Sequence, residues 1–247
     1  MRAAAALVAL ILIVCAPARA DDVPLVADLS SHLVAITTGF TGTDVLLFGA
    51  TDGPGDIVVV VRGPQKDIDV RRKERFGPIW VNATSVSLKD VPSYYRVAST
   101  RPLAEFAPDE LQERYQLGLQ NLRFNIPSTN LPPEETGAFR TALVRLKTEN
   151  GLYNEEVGSV NMMSSRLFRT ELHFPSNVPT GTYLVEVYLF RDQAVTSAEI
   201  VPFTVSKIGV GADVYDFAMN YGAIYGILSV MLAVAAGYAA SAAFRRT

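Results

Sequence analysis

Apolar positions follow two different periods along this chain, and the changes of period divide it. From Val23 to Ser99, short apolar or alternating runs lie between turn residues: Leu33–Ile36, Val45–Phe48, Ile57–Val61, Ile68–Arg75, Ile79–Ala83 and Tyr94–Ala98. β-Branched and aromatic side chains suit a pleated, half-buried surface, so these runs are predicted strands. Ile57–Val61 is apolar at every position, which predicts cover on both faces. Asp52-Gly53-Pro54-Gly55-Asp56 reads as a turn between two strands. The period then becomes helical. Pro108-Asp109-Glu110 opens a helix with acids at the positive end of its dipole. Leu111, Tyr115, Leu119 and Leu122 share one face, and Ile126-Pro127 ends it. A second helix opens at Pro133-Glu134-Glu135, carries Phe139, Leu143 and Leu146 on its apolar face, and stops at Asn150-Gly151. The short link from Pro127 to Pro133 predicts a helical hairpin. Alternation returns in Leu167–Phe174, Tyr183–Phe190 and Ala198–Val205. In the second of these, Tyr183, Val185, Val187 and Leu189 point one way, and Leu184, Glu186, Tyr188 and Phe190 the other. The expected fold is mainly β: an antiparallel, immunoglobulin-like sandwich with a two-helix insert at about 105–150. Two packed β modules are the alternative.

Both ends of the chain carry a third pattern, apolarity without period. No charged residue occurs among the 28 from Phe217 to Phe244. About 20 apolar residues cross a hydrocarbon core, so residues 221–244 are an expected transmembrane helix behind a juxtamembrane segment, 208–220. Arg245 and Arg246 in the tail, 245–247, place the C-terminus in the cytoplasm by the positive-inside rule. Gly222, Gly226, Ser229, Ala233, Gly237 and Ser241 recur at near-helical spacing, a stripe that lets a second helix approach closely. Residues 1–20 combine Arg2, an apolar run too short to span, and Ala18-Arg19-Ala20 as a cleavage site, which reads as a signal peptide. Residues 21–207 would then be a periplasmic β-rich domain on a single-pass inner-membrane protein.

Composition narrows the chemistry. The one cysteine, Cys15, falls in the signal peptide, so the exported domain has no thiol chemistry and must fold on its core alone. Residues 21–220 hold all 25 acids and 18 of the 22 cations, a net charge of −7, which argues against nucleic acid and, for the domain as a whole, against anionic lipid. His32 and His173 are the only histidines and show no ligand spacing, so no metal site is expected. Asp52 and Asp56 lack the rest of a calcium loop. No nucleophile elbow, phosphate loop or dinucleotide motif is present; no catalytic residue and no cofactor are assigned. Asn82-Ala83-Thr84 fits the glycosylation sequon. One cluster stands apart. In Arg71-Arg72-Lys73-Glu74-Arg75, Arg71, Lys73 and Arg75 would share one strand face. With Trp80, the only tryptophan, at its border, that face is the candidate site for a small oxyanion. A charged, solvated edge strand is the competing reading.

Several blocks carry a resemblance: TGFTGTDVLLFGATDGPGDIVVVVRGP, VRRKERFGPIWVNATSVS, VPSYYRVASTRPL, VPTGTYLVEVYLFRD and the terminal YGAIYGILSVMLAVAAGYAASAAFRR. In this order they resemble the uncharacterised transmembrane proteins of alphaproteobacteria, from about Val26 to the end. The resemblance implies an inner-membrane protein with a periplasmic domain and carries over no catalytic residue. The expected role is non-enzymatic: an accessory or assembly subunit of a membrane complex, for example a transporter, meeting another membrane protein or itself through the helix. A binding module for a small oxyanion is the alternative, and an unrecognised hydrolase the third reading.

Overall fold

The computed structural model describes residues 24–127 and 132–244. The expected signal peptide and Arg245-Arg246 lie outside the described residues. Two sheets form the sandwich. Sheet A is built from β1 (Leu25–Leu29), β3 (Gly42–Thr51), β10 (Leu167–Pro175) and β9 (Asn161–Met162), in that order. Sheet B runs β2 (Leu33–Ile36), β12 (Ala194–Lys207), β11 (Gly181–Arg191), β4 (Asp56–Arg62), β7 (Tyr95–Ser99) and β8 (Gly158–Ser159). Pairing is antiparallel except where β2 meets β12 and β8 meets β7 at the two edges of sheet B. Strands from the two ends of the chain interleave: β10 pairs with β3, and β11 with β4. One composite sandwich therefore forms, rather than two β modules.

The core explains the patterning. Between the sheets, Leu47, Phe168 and Phe174 meet Ile57, Val59, Val61, Tyr183, Val185 and Val187. Val58 and Val60 point the other way, into a second apolar cluster with Phe106, Leu117, Leu122 and Phe190. Strand β4 is thus covered on both faces, as its unbroken apolar run requires. Alternation along β11 holds as well: Tyr183, Val185, Val187 and Leu189 join the first cluster, Tyr188 and Phe190 the second.

The helical stretch departs from expectation. Helix α1 spans only Asp109–Tyr115. Gln116 turns left-handed at φ 53°, and Leu117 N–H returns to the Gln112 carbonyl at 2.8 Å, a Schellman stop made without glycine. Leu117 is thereby delivered into the core, and Leu119 begins a separate 3-10 turn, Leu119–Asn121. Helix α2 (Pro133–Glu149) does not fold back on α1 as a hairpin. It packs through Phe139 and Leu143 against Val70, Val86, Leu88 and Val91. Leu146 is exposed, and Val144 packs inward in its place.

Those four valines and leucines belong to β5 (Gln65–Phe76) and β6 (Ile79–Pro92), which form a two-stranded sheet of their own, with one isolated bridge from Lys89 to Asn125. The runs read as sandwich strands at Ile68–Arg75 and Ile79–Ala83 are in fact the limbs of a separate two-stranded ribbon. After β12 the chain passes through α3 (Val210–Asn220) to α4 (Gly222–Phe244). Helix α4 is exposed along its whole length and has a mean hydropathy of 1.9 in its most apolar window. The juxtamembrane segment is therefore helical, separated from the span by Tyr221 at φ −128°, ψ 45°.

Register fixes which end of the sandwich faces the span. Gly181 pairs with Val205, two residues before Lys207 ends β12. Arg62, at the end of β4, pairs with Leu184 and with Tyr95. The ribbon therefore leaves sheet B, through Gly63-Pro64, at the same end from which the chain runs on to α4. A Cβ added to Gly181 would fall 2.8 Å from Pro64, so the two exits are adjacent.

Candidate functional site

The cation cluster lies on the outer half of the ribbon. Every residue from Arg71 to Ala83 is exposed. Cross-strand register sets Arg71 opposite Ser85, Lys73 opposite Asn82 and Arg75 opposite Trp80, so Arg71, Lys73, Arg75 and Trp80 share one face. An irregularity in register between Arg72 and Lys73, where Ala83 is skipped, interrupts the ladder. Arg72 lies on the opposite face with the buried Val70, beneath α2. It pairs with Glu74 at 3.1 Å and Glu135 at 3.4 Å, and stacks 5.8 Å from the Phe139 ring centre. Among the described residues these are the ion pairs of the cluster. The face of Arg71, Lys73 and Arg75 is open, with α2 on the other side, and forms no enclosing pocket. Beyond it, Gly77 takes φ 62° in the two-residue turn Gly77-Pro78. Around that turn Phe76, Ile79 and Trp80 are 77%, 57% and 66% exposed.

A second surface was not foreseen. On the outer face of sheet A, Val26 and Leu167 both stand opposite Ala50, and Phe48 stands opposite Asp28 and Arg169. Val26, Phe48, Met163 and Leu167 are all exposed and line a cavity of about 370 Å³ whose one ionisable lining residue is Asp28. The signal was in the sequence. Val45-Leu46-Leu47-Phe48 is as unbroken as Ile57–Val61, yet only Val45 and Leu47 face the core. The patch lies at the Thr51 end of β3, next to the turn into β4, and so at the end of the sandwich away from the span.

A polar cleft of about 730 Å³ opens beside the ribbon root, lined by Arg62, Asp90, Gln116, Arg123, Thr182 and Glu186. Its half-buried charges are matched internally. Arg62 pairs with Glu186 and donates to the Tyr115 carbonyl at 2.7 Å; Tyr188 donates its hydroxyl to Glu186 at 2.7 Å. Burial, with Glu186 adding to it, pushes the Tyr188 hydroxyl up. This arrangement ties α1 to sheet B.

The histidines do not converge on each other. His32 meets Asp28 at 3.2 Å, and His173 meets Asp44 at 2.7 Å. Among the described residues no group of three or more His, Cys, Asp or Glu is placed to hold a metal ion. Asp56 is held by both Arg101 Nε at 2.8 Å and Nη2 at 2.7 Å, and Asp52 by Arg191. The Arg191 guanidinium keeps the Asp52 carboxyl below its usual range. Both aspartates brace the turn between β3 and β4. In α4, Gly222, Gly226 and Gly237 have nothing within 4 Å of an added Cβ, and with Ser229, Ala233 and Ser241 they lie on one helical face. Ser229 returns its hydroxyl to the Tyr225 carbonyl at 2.8 Å.

Residues 24–246 match the family described as "Putative transmembrane protein (Alph_Pro_TM)", and no curated protein matches the chain. The chain belongs to this family of transmembrane proteins, and among its described residues α4 is the one helix long and apolar enough to cross a membrane.

Proposed function

From this membership we propose that the chain is a non-catalytic accessory or assembly subunit of an inner-membrane complex, with its β domain on the periplasmic side. The observation that carries the reading is the apolar patch of Val26, Phe48, Met163 and Leu167. Exposed apolar clusters of this kind mark protein-binding surfaces, and a cavity lined this way offers grip without acid, base or nucleophile. It lies at the end of the sandwich away from the exit to the span, which favours a protein over lipid as its occupant. A partner sharing the membrane also meets the small-residue face of α4, where close packing drives association.

The test is co-purification of full-length protein from gently solubilised membranes. A defined membrane protein should accompany the parent chain, and Val26→Ser with Leu167→Ser should reduce its recovery about tenfold, roughly 1.4 kcal/mol of contact. Equal recovery with parent and variant, or turnover of a substrate by the purified chain, would overturn the reading.

A further inference from the structure

The outer half of the ribbon combines three features that neither the sandwich core nor the apolar patch accounts for. First, its tip is apolar. Phe76, Ile79, Trp80 and Val81 are 77%, 57%, 66% and 39% exposed around the Gly77-Pro78 turn. A two-stranded hairpin is marginal in water by itself, and α2 holds this one at its root, through Val70, Val86, Leu88 and Val91, and out to Arg72 through Glu135 and Phe139, short of the tip. Second, directly behind the tip lies a collar of cations. Arg71, Lys73 and Arg75 share the open face, and Glu74, the one acid between them, is held by Arg72 on the other face. The collar is basic inside a domain that is otherwise acidic. Third, the ribbon leaves the sandwich at the end nearest the span. The twelve residues of β5 extend about 40 Å at roughly 3.3 Å each, against about 16 Å for α3.

We infer that the ribbon tip docks into the surface of the bilayer that α4 crosses, with Phe76, Ile79 and Trp80 below the headgroups and Arg71, Lys73 and Arg75 against the phosphates of anionic lipid. The order of chemistry along the ribbon follows the outer layers of a membrane: apolar at Phe76 and Ile79 around the turn, Trp80 on the rung of Arg75, then Lys73 and Arg71 on the rungs of the neutral polar Asn82 and Ser85. Aromatic side chains favour the membrane–water boundary, and juxtamembrane cations are drawn to anionic lipid. Tethering by α4 keeps the bilayer at high effective concentration, so a weak individual contact suffices. A small free oxyanion would require the three cations to converge on one point. Register instead spaces them along the ribbon, so a ribbon tilted into the surface offers them to separate headgroups. The domain's net negative charge had argued against anionic lipid as a general partner; the exception is local. The second contact would fix how the sandwich stands on the membrane, independently of what the sheet A patch binds.

Trp80 is the only tryptophan, so its fluorescence reports the tip directly. The full-length protein is reconstituted into phosphatidylcholine vesicles with and without phosphatidylglycerol. With the anionic lipid, Trp80 emission should shift to the blue, lose access to acrylamide, and be quenched by brominated acyl chains. Arg71→Ser with Lys73→Ser should lower the docked fraction about tenfold, and Phe76→Ser with Ile79→Ser should abolish quenching by the acyl chains. All four side chains are exposed, so circular dichroism of both variants should match the parent. Inorganic phosphate added to protein in neutral detergent should leave Trp80 unchanged. A Trp80 that stays open to acrylamide in every vesicle would overturn the proposal. So would a saturable response to inorganic phosphate alone, which assigns the face to a free oxyanion, or shielding that occurs in native membranes but not in pure lipid, which assigns it to a protein.

Discussion

Tyr95 shows how single side chains bind the helical stretch to the sandwich. It is fully buried, donates its hydroxyl to the Gln116 carbonyl and accepts from Gly118 N–H at 2.9 Å. It thus fastens the left-handed stop of α1 to strand β7. Desolvation pushes its hydroxyl from 10.0 up to about 12; burial also raises Tyr153 and Tyr183. The sign follows from linkage. Above pH 10 the unfolded chain loses a proton that the folded chain keeps, so folded stability is intact below pH 10 and falls as pH rises toward about 12. For Tyr95 alone the loss is about 2–3 kcal/mol across that window. Tyr95→Phe should cost about 1 kcal/mol near neutral pH through the lost hydrogen bonds, yet flatten the alkaline decline. Denaturant midpoints of the full-length protein in detergent, measured on both sides of pH 10, check it. A variant whose midpoint falls as steeply as the parent's would place the alkaline sensitivity elsewhere.

At the scale of elements, legibility tracked how much of a segment's environment its own pattern determines. Strand β11 alternates because one face meets sheet A and the other meets the helical cover, and both faces were readable. The limits of α1 were not, since Gln116 adopts φ 53° without glycine and Gly118 comes two residues late. The ribbon was read as sandwich strands because alternation reports a half-buried strand without saying what buries it; here α2 does. The cation face was legible, since it needs only strand parity, whereas the sheet A patch was hidden in a run that suited two-sided cover equally well. Helix α4 lies at the readable extreme, and its own prediction concerns packing. Gly226→Leu or Gly237→Leu fills the open face of the stripe while adding apolarity, so insertion should persist and contact with a neighbouring helix should weaken several-fold. Leu228→Ile, at constant volume, should change little. Crosslinking yield in membranes distinguishes them; unchanged yield in both glycine variants would reduce the stripe to composition.

For the whole molecule, the arrangement of surfaces makes sense in one orientation only. The ribbon root and the start of α3 lie at one end of the sandwich, and the apolar patch lies at the other. On the docking proposed above, the domain faces its membrane with the cationic ribbon and faces away with the patch. The side of the membrane is a separate matter, set by the termini. Arg245 and Arg246 follow the span directly, and the N-terminal 20 residues carry the pattern of a cleaved export signal. In the proposed topology both put Lys207 outside the cytoplasm. A reporter that works only in the periplasm should therefore be active when fused after Lys207 and silent when fused after Thr247. Removing residues 1–20 should silence the first fusion, because that fusion lacks α4 and residues 1–20 carry the export pattern. The same experiment bears on the ribbon. If Lys207 is periplasmic, Arg71, Lys73 and Arg75 meet the periplasmic leaflet, and externally added protease should reach the sandwich in spheroplasts while the ribbon is shielded by lipid. Activity of the Thr247 fusion with silence of the Lys207 fusion would invert the topology and move both surfaces into the cytoplasm.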